Sequence, residues 1–290
     1  MAQDILQKIA ESGLLFDGAM GTMLIEKGLP NSKVSEYCNF AKQNIVKEVH
    51  QAYLDAGAAV LTTNTFGGSR LKLEKAELAD KTEEINYNAA HIASEIANDA
   101  IVAGDLGPSG YMLKPLGAKE PEEIQDNYAE QAEYLIKGGA EIILIETMFD
   151  LNEILAALKG VKSVTDVPVF TTMTFEQKPQ GFVTVMGNKV EDSLKTLLDN
   201  GASVVGANCS IGSKEMIELA REIREKIDSL VMVQPNAGMP ETQESRITYP
   251  EDAETFSENI VKIKSLGVDI VGGCCGTSPE YIEAIRKNIT

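Results

Sequence analysis

Cys274 and Cys275 stand side by side in "VDIVGGCCGTSPE", flanked by glycines, just past an apolar run and just ahead of a helix start. Successive side chains of an extended strand point to opposite faces, so two adjacent thiols can serve one site only if the chain turns there. Glycines 272, 273 and 276 would let the backbone bend sharply enough to aim both sulfurs inward. Cys209, in "GANCS", closes another apolar run, whereas Cys38, in "SEYCNF", has no comparable setting and reads as a small buried residue. Three thiolates with one position left open match the ligand count of a catalytic zinc, since structural zinc usually takes four ligands in local C-x-x-C pairs. Inert buried thiols or a strained redox pair are the competing readings.

The donor set suggests the chemistry. Three anionic sulfurs leave zinc a weaker Lewis acid than three imidazoles would, so hydrolysis by activated water is less natural than capture of a fourth sulfur. A free alkyl thiol, with a pKa of about 8.5, is only a few per cent ionised at neutral pH, and coordination removes that proton outright. The expected substrate is therefore a small thiol that attacks an alkyl group without a general base. The two histidines, His50 and His91, fall within predicted helices, which disfavours histidine triads and imidazole-bound metals. No lysine lies in a predicted strand core, which disfavours Schiff-base chemistry.

A second constellation follows the first apolar run, in "LLFDGAMGTML". Asp17 ends the run, and Gly18, Ala19 and Gly21 leave backbone N–H groups approachable where a helix begins, a cradle for a carboxylate. Glu146, ending "IILIE", supplies another carboxylate that with Asp17 could hold an ammonium. Together they would grip both ends of an α-amino acid whose side chain reaches the metal. Read singly, Asp17 could equally be a turn or cap residue.

These residues need a common rim. Eight short apolar runs recur along the chain, at 14, 58, 100, 141, 167, 203, 230 and 268, and segments with helical spacing separate them. In "NIVKEVHQAYLDAG", for example, Ile45, Val49, Ala52, Tyr53 and Ala56 form one stripe. Strand then helix, eight times, predicts an α/β chain folded as a single (β/α)8 barrel over residues 1–290, with an open doubly wound sheet as the alternative. Glycines 57, 139, 201 and 267 precede the even-numbered strands, where a left-handed residue would close each helix. In such barrels chemistry gathers where strands end. Those positions hold Asp17, Asn64, Thr65, Asp105, Glu146, Thr174, Asn208, Cys209, Asn236, Cys274 and Cys275. Neither G-x-G-x-x-G after the first strand nor G-x-x-x-x-G-K-[ST] occurs, so nucleotide-binding versions of the fold lose support.

Composition narrows the partners. With 26 Lys and Arg against 44 Asp and Glu, the net charge of -18 should repel nucleic acid and anionic lipid. No apolar run is long enough to span a membrane, and "MAQDILQKIAESG" resembles neither a secretory nor an organellar leader, so a cytoplasmic location is expected. Cysteines there are reduced, which favours metal binding over disulfides.

The ordered set "DGAMGT", "TTNTFGGSRLKL", "GDLGPSG", "IET", "GANCS", "PNAG" and "GGCCGTSPE" resembles the homocysteine S-methyltransferase family over residues 14 to about 288, most closely the homocysteine-binding module of cobalamin-dependent methionine synthases. The resemblance implies a TIM barrel. It implies zinc on Cys209, Cys274 and Cys275, with homocysteine sulfur as the fourth ligand. Asp17 and Glu146 would hold the substrate amino group, and the backbone of Gly18 and Ala19 its carboxylate. Asn236 would take the open zinc position before substrate arrives. The product would be methionine. Methylcobalamin is the expected donor, and because the chain ends at Thr290 without corrinoid or folate modules, a separate corrinoid protein is the expected partner. S-methylmethionine remains an alternative donor. Betaine fits less well, because no Trp is present and Gly67 follows "NTF", whereas aromatic faces attract quaternary ammonium. Another small thiol as acceptor, or a non-catalytic metal-stabilised scaffold with Cys38 as a fourth ligand, are the remaining readings.

Overall fold

The computed structural model describes residues 2–30, 32–243 and 246–289. Its eight main strands are β1 (Leu14–Leu15), β2 (Val60–Thr62), β3 (Ile101–Leu106), β4 (Ile142–Met148), β5 (Val169–Met173), β6 (Val204–Gly212), β7 (Val231–Asn236) and β8 (Ile270–Val271). Each falls in one of the eight predicted runs. All pair in parallel, in the order β1-β8-β7-β6-β5-β4-β3-β2. A parallel bridge from Phe16 to Val60 joins the two outer strands, so the sheet rolls into a barrel with helices outside. The open-sheet alternative is excluded.

Period-two alternation fills the interior. Leu14 and Phe16, Val60, Ile101 and Ala103, Ile142 and Leu144, Phe170, Val204, Met232 and Ile270 pack together as one cluster inside the sheet. Continuing the same alternation toward the strand ends brings Asp105, Glu146, Asn208 and Gln234 onto inward positions. The lower barrel is therefore apolar and the upper end polar. Residues of the opposite parity, such as Val102, Ile143, Ile145 and Val205, join the larger cluster shared with the surrounding helices. Ile5 and Ile9, on the helix Ala2–Ser12, pack into the inner cluster and close the barrel at its amino-terminal end, a role that the sequence reading does not assign to them.

The predicted glycine pattern is present. Gly57, Gly139, Gly201 and Gly267 have φ of 100°, 111°, 93° and 91°, and each follows the helix ahead of an even-numbered strand. On the helix Gln43–Ala56 the buried stripe is Val46, Val49, His50, Tyr53 and Ala56; Ile45 and Ala52 of the predicted stripe sit at its half-buried margin. Two antiparallel hairpins, Glu176–Lys178 with Gly181–Val183 and Glu241–Gln243 with Arg246–Thr248, decorate the loops after β5 and β7. No helix among the described residues is long and apolar enough to cross a membrane.

Gly206 shows how tightly the barrel is drawn: it pairs with Met232, and a Cβ there would lie 1.7 Å from the Met232 carbonyl oxygen. Backbone cannot yield cheaply. Gly206→Ala should cost on the order of 3 kcal/mol, read as a fall in Tm of about 6 °C or more.

Candidate metal centre and active site

The carboxyl ends of the strands surround a cavity of about 240 Å³, lined by Asp17, Asp105, Glu146, Cys209, Cys274 and Cys275 together with the Gly18–Thr22 and Thr62–Phe66 segments. A larger groove of about 620 Å³ near Leu113, Asn152 and Lys159 contains no thiol. The Sγ atoms of Cys209, Cys274 and Cys275 all lie within 4.8 Å of one another. Tetrahedral zinc at about 2.3 Å from each sulfur needs them roughly 3.8 Å apart, so the trio can hold such a metal with small side-chain adjustments. Cys38 is buried in the core and is not part of this group, which removes the four-cysteine scaffold.

Cys209 reaches the cavity by breaking strand geometry. Asn208 points inward, so its neighbour would face away. Instead Cys209 and Ser210 adopt left-handed φ of 58° and 63°, and the β6–β7 register shifts between Asn208 and Gly212. A non-glycine residue pays about 1–2 kcal/mol for that conformation, and such strain collects at functional sites. β4 does the same, with φ of 60° at Thr147 and a register shift between Ile145 and Met148.

Asn208 ties these irregularities together. Its Nδ2 donates to Glu146 Oε2 and Thr147 Oγ1, both at 2.7 Å, while its Oδ1 accepts from the Thr147 amide and Thr172 Oγ1, both at 2.8 Å. One side chain thus fixes β4, β5 and β6 relative to each other. The sequence reading places Asn208 on the rim without giving it this task.

The vicinal pair is held by its backbone. The Cys274 amide donates to Pro235 O at 2.8 Å, and the Ala237 amide donates to Cys275 O at 3.0 Å, so β7 clasps both residues. Of the three glycines expected to bend the chain, only Gly276 is left-handed, with φ of 82°. Gly272 and Gly273 serve close approach instead: a Cβ on Gly273 would lie 2.3 Å from Thr277 Oγ1, and one on Gly272 would lie 2.8 Å from Phe16 Cβ. Thr277 also joins the two halves of the site. Its Oγ1 donates to Cys274 O at 2.7 Å and accepts from the Ala19 amide at 3.2 Å, and Tyr53 OH donates to Ala19 O at 3.1 Å.

The electrostatics are those of crowded anions. Hydrogen bonds from Cys209 and Cys274 pull the Cys275 thiol far down, with help from Tyr249, so the metal-free trio settles around one thiolate. Asp17 accepts from Thr62 Oγ1 at 2.7 Å and from the Thr62 amide at 2.8 Å. Burial nevertheless raises its pKa to about 7. Glu146 is raised to about 8, first by burial and then by the charges of Cys275 and Asp17. Asp105 is raised by burial and by Glu146, Glu36 and Asp17.

Other strand-end residues take structural parts. Asn64 bonds Asn39 and Ser35, and Thr65 Oγ1 donates to Asp105 O. Asn236 is buried beside the clasp with its Oδ1 unpartnered, although it does not line the cavity. His50 is buried on its helix and His91 lies exposed on the helix Thr82–Ser94, both apart from the cavity.

With this geometry in hand, the sequence profile of the homocysteine S-methyltransferases matches residues 14–289. The chain belongs to that family. It is 31% identical to methionine synthases of Mycobacterium leprae and Mycobacterium tuberculosis over 99% of its own length, and spans about a quarter of theirs. Its fold matches the metallated form of the Escherichia coli homocysteine methyltransferase MmuM with a TM-score of 0.81 at 20% identity, covering 96% of both chains. The apo form of the same enzyme superposes with a TM-score of 0.74.

Asp17 yields a pH prediction for the metal-free, substrate-free protein. Its folded pKa near 7 exceeds the ordinary 3.8, so the folded state binds its proton more tightly. That stabilisation is complete below about pH 4 and is lost as the pH rises through 7. Urea titrations should show wild-type stability declining relative to Asp17→Asn by on the order of 3 kcal/mol between pH 5 and pH 8. A pH-independent difference would contradict the assignment.

Proposed function

We propose that the protein is a zinc-dependent methyltransferase that moves a methyl group onto the thiol of homocysteine, giving methionine. The observation that carries this reading is the sharing of one small cavity by three converging thiols and a set of buried carboxyls. Cys209, Cys274 and Cys275 hold the metal. When bound, zinc supplies the Lewis acidity that keeps a substrate thiol deprotonated at neutral pH. Asn236 is the protein ligand available for the remaining position before substrate arrives, and its unpartnered Oδ1 supports that role.

The chain's own residues orient the amino acid. Asp17 and Glu146 receive the ammonium, each kept in place by hydrogen bonds from neighbouring strands. The backbone at Gly18 and Ala19 faces the carboxylate. Because the Ala19 amide already donates to Thr277, Gly18 and the opening amides of the helix Met20–Glu26 carry most of that duty. Asn208 positions Glu146, and Thr277 positions the Gly18–Ala19 turn against the cysteine loop.

Methylcobalamin is the donor that we favour, supported by the similarity to methionine synthases. Among the described residues the cavity lining includes one aromatic residue, Phe66, and Tyr249 lies beside Cys275, too few faces to make an aromatic cage for betaine. Homocysteine is the acceptor favoured over other small thiols because of the paired sites for ammonium and carboxylate.

Cys209→Ser should lose its zinc and lower methionine formation by at least about 1,000-fold, a loss of some 4 kcal/mol in transition-state stabilisation. Metal analysis and turnover on the same preparation check this, and full activity in a zinc-free sample would overturn it. Zinc-loaded wild type offered homocysteine with methylcobalamin, methyltetrahydrofolate, betaine or S-methylmethionine in turn should form methionine from methylcobalamin and not from betaine. The reverse outcome would reassign the donor.

A further inference from the structure

The cavity wall carries a third carboxyl to which the reading above gives no task. Asp105 continues the inward series Ile101, Ala103 on β3 and is 3% exposed. Its backbone is pinned on both sides: Thr63 Oγ1 accepts from its amide at 3.0 Å, and Thr65 Oγ1 donates to its carbonyl at 2.8 Å. The Cα–Cβ bond is therefore held toward the cavity that the residue lines. Its Oδ1 has no hydrogen-bond partner.

The neighbouring acids are served. Asp17 takes two hydrogen bonds from Thr62, Glu146 takes one from Asn208, and Glu36 accepts from the Gly67 amide at 2.6 Å. Asp105 has only a backbone hydrogen bond from Leu106 and feels Glu146, Glu36 and Asp17 as like charges, and among the described residues neither lysine nor arginine lines the cavity. The remaining acceptor capacity of a buried carboxyl in that position suits a donor that arrives with the ligand. A primary ammonium has three N–H donors. Asp17 and Glu146 account for two, and β3 pairs directly with β4, which carries Glu146.

We infer that Asp105 is a specificity-determining residue that completes a three-carboxyl seat for the acceptor's ammonium, so that the site takes thiols bearing a free primary amine and rejects those without one. This rests on the homocysteine reading. It adds that the amine is a requirement for binding, beyond being an orienting handle.

The test uses zinc-loaded protein and calorimetric titration with two ligands, homocysteine and 4-mercaptobutyrate, which keeps the thiol and carboxylate but lacks the amine. Wild type should prefer homocysteine by at least about 1,000-fold. Asp105→Asn should weaken homocysteine binding by at least about 30-fold while leaving 4-mercaptobutyrate unchanged or tighter. In turnover it should raise KM for homocysteine with kcat within about threefold. Asp105→Ser, with zinc content and thermal melting measured on both variants, guards against a folding defect. If either folded, zinc-replete variant binds homocysteine like wild type, or weakens both ligands equally, Asp105 has no such role and the homocysteine reading survives. If wild type binds no homocysteine, that reading and this inference fall together.

Discussion

Concentrated negative charge in a nearly closed space is the constraint around which this protein is arranged. Three thiols and three carboxyls meet at the top of one barrel, within a cavity of about 240 Å³ that, among the described residues, no lysine or arginine lines. Taking even one such anion out of water is expensive unless something positive meets it. Alone, the groups respond by holding protons: Asp17 and Glu146 are lifted into the neutral range, and hydrogen bonds among the thiols leave the charge mainly on Cys275. A dication at the sulfurs and an ammonium at the carboxylates relieve the two halves separately. On the proposed reading, selectivity for a thiol-bearing amino acid would follow from electrostatics before any shape is considered.

The barrel makes that concentration possible because its lower half supplies the stability. Apolar inward residues fill the strands from the amino-terminal end up to the layer of Ala103 and Leu144, and only the last inward positions are given to polar groups. Even there, simple alternation would have aimed Cys209 outward. Left-handed backbone at Thr147, Cys209 and Ser210 and two register shifts re-aim the rim. Asn208 spans the three strands involved and keeps the distorted ends in a fixed relation. Within the eight main strands, left-handed backbone is confined to the functional end.

Much of this was legible in the residues. The eight apolar runs and the four helix-closing glycines define the barrel, because strand and helix periods and left-handed glycine are local properties of the chain. The convergence of Cys209 with Cys274 and Cys275 follows once the fold is recognised, since strands six and eight end on the same rim. What was not legible depends on three-dimensional partners. The bridging role of Asn208 requires knowing that β4, β5 and β6 lie side by side, and the different duties of the glycines around the cysteine pair require the positions of Phe16, Thr277 and Tyr249. The unpartnered Oδ1 of Asp105 is likewise invisible until Thr62 and Asn208 are found to serve Asp17 and Glu146.

The short amphipathic helix Ala2–Ser12 reinforces the one-sidedness of the site. By seating Ile5 and Ile9 beneath the packed strand residues, it covers the amino-terminal end of a core that already shuts the cavity off from below. Whatever enters must leave by the same mouth. On the proposed reading, acceptor and donor would share that single doorway, the amino acid entering beneath the methyl donor.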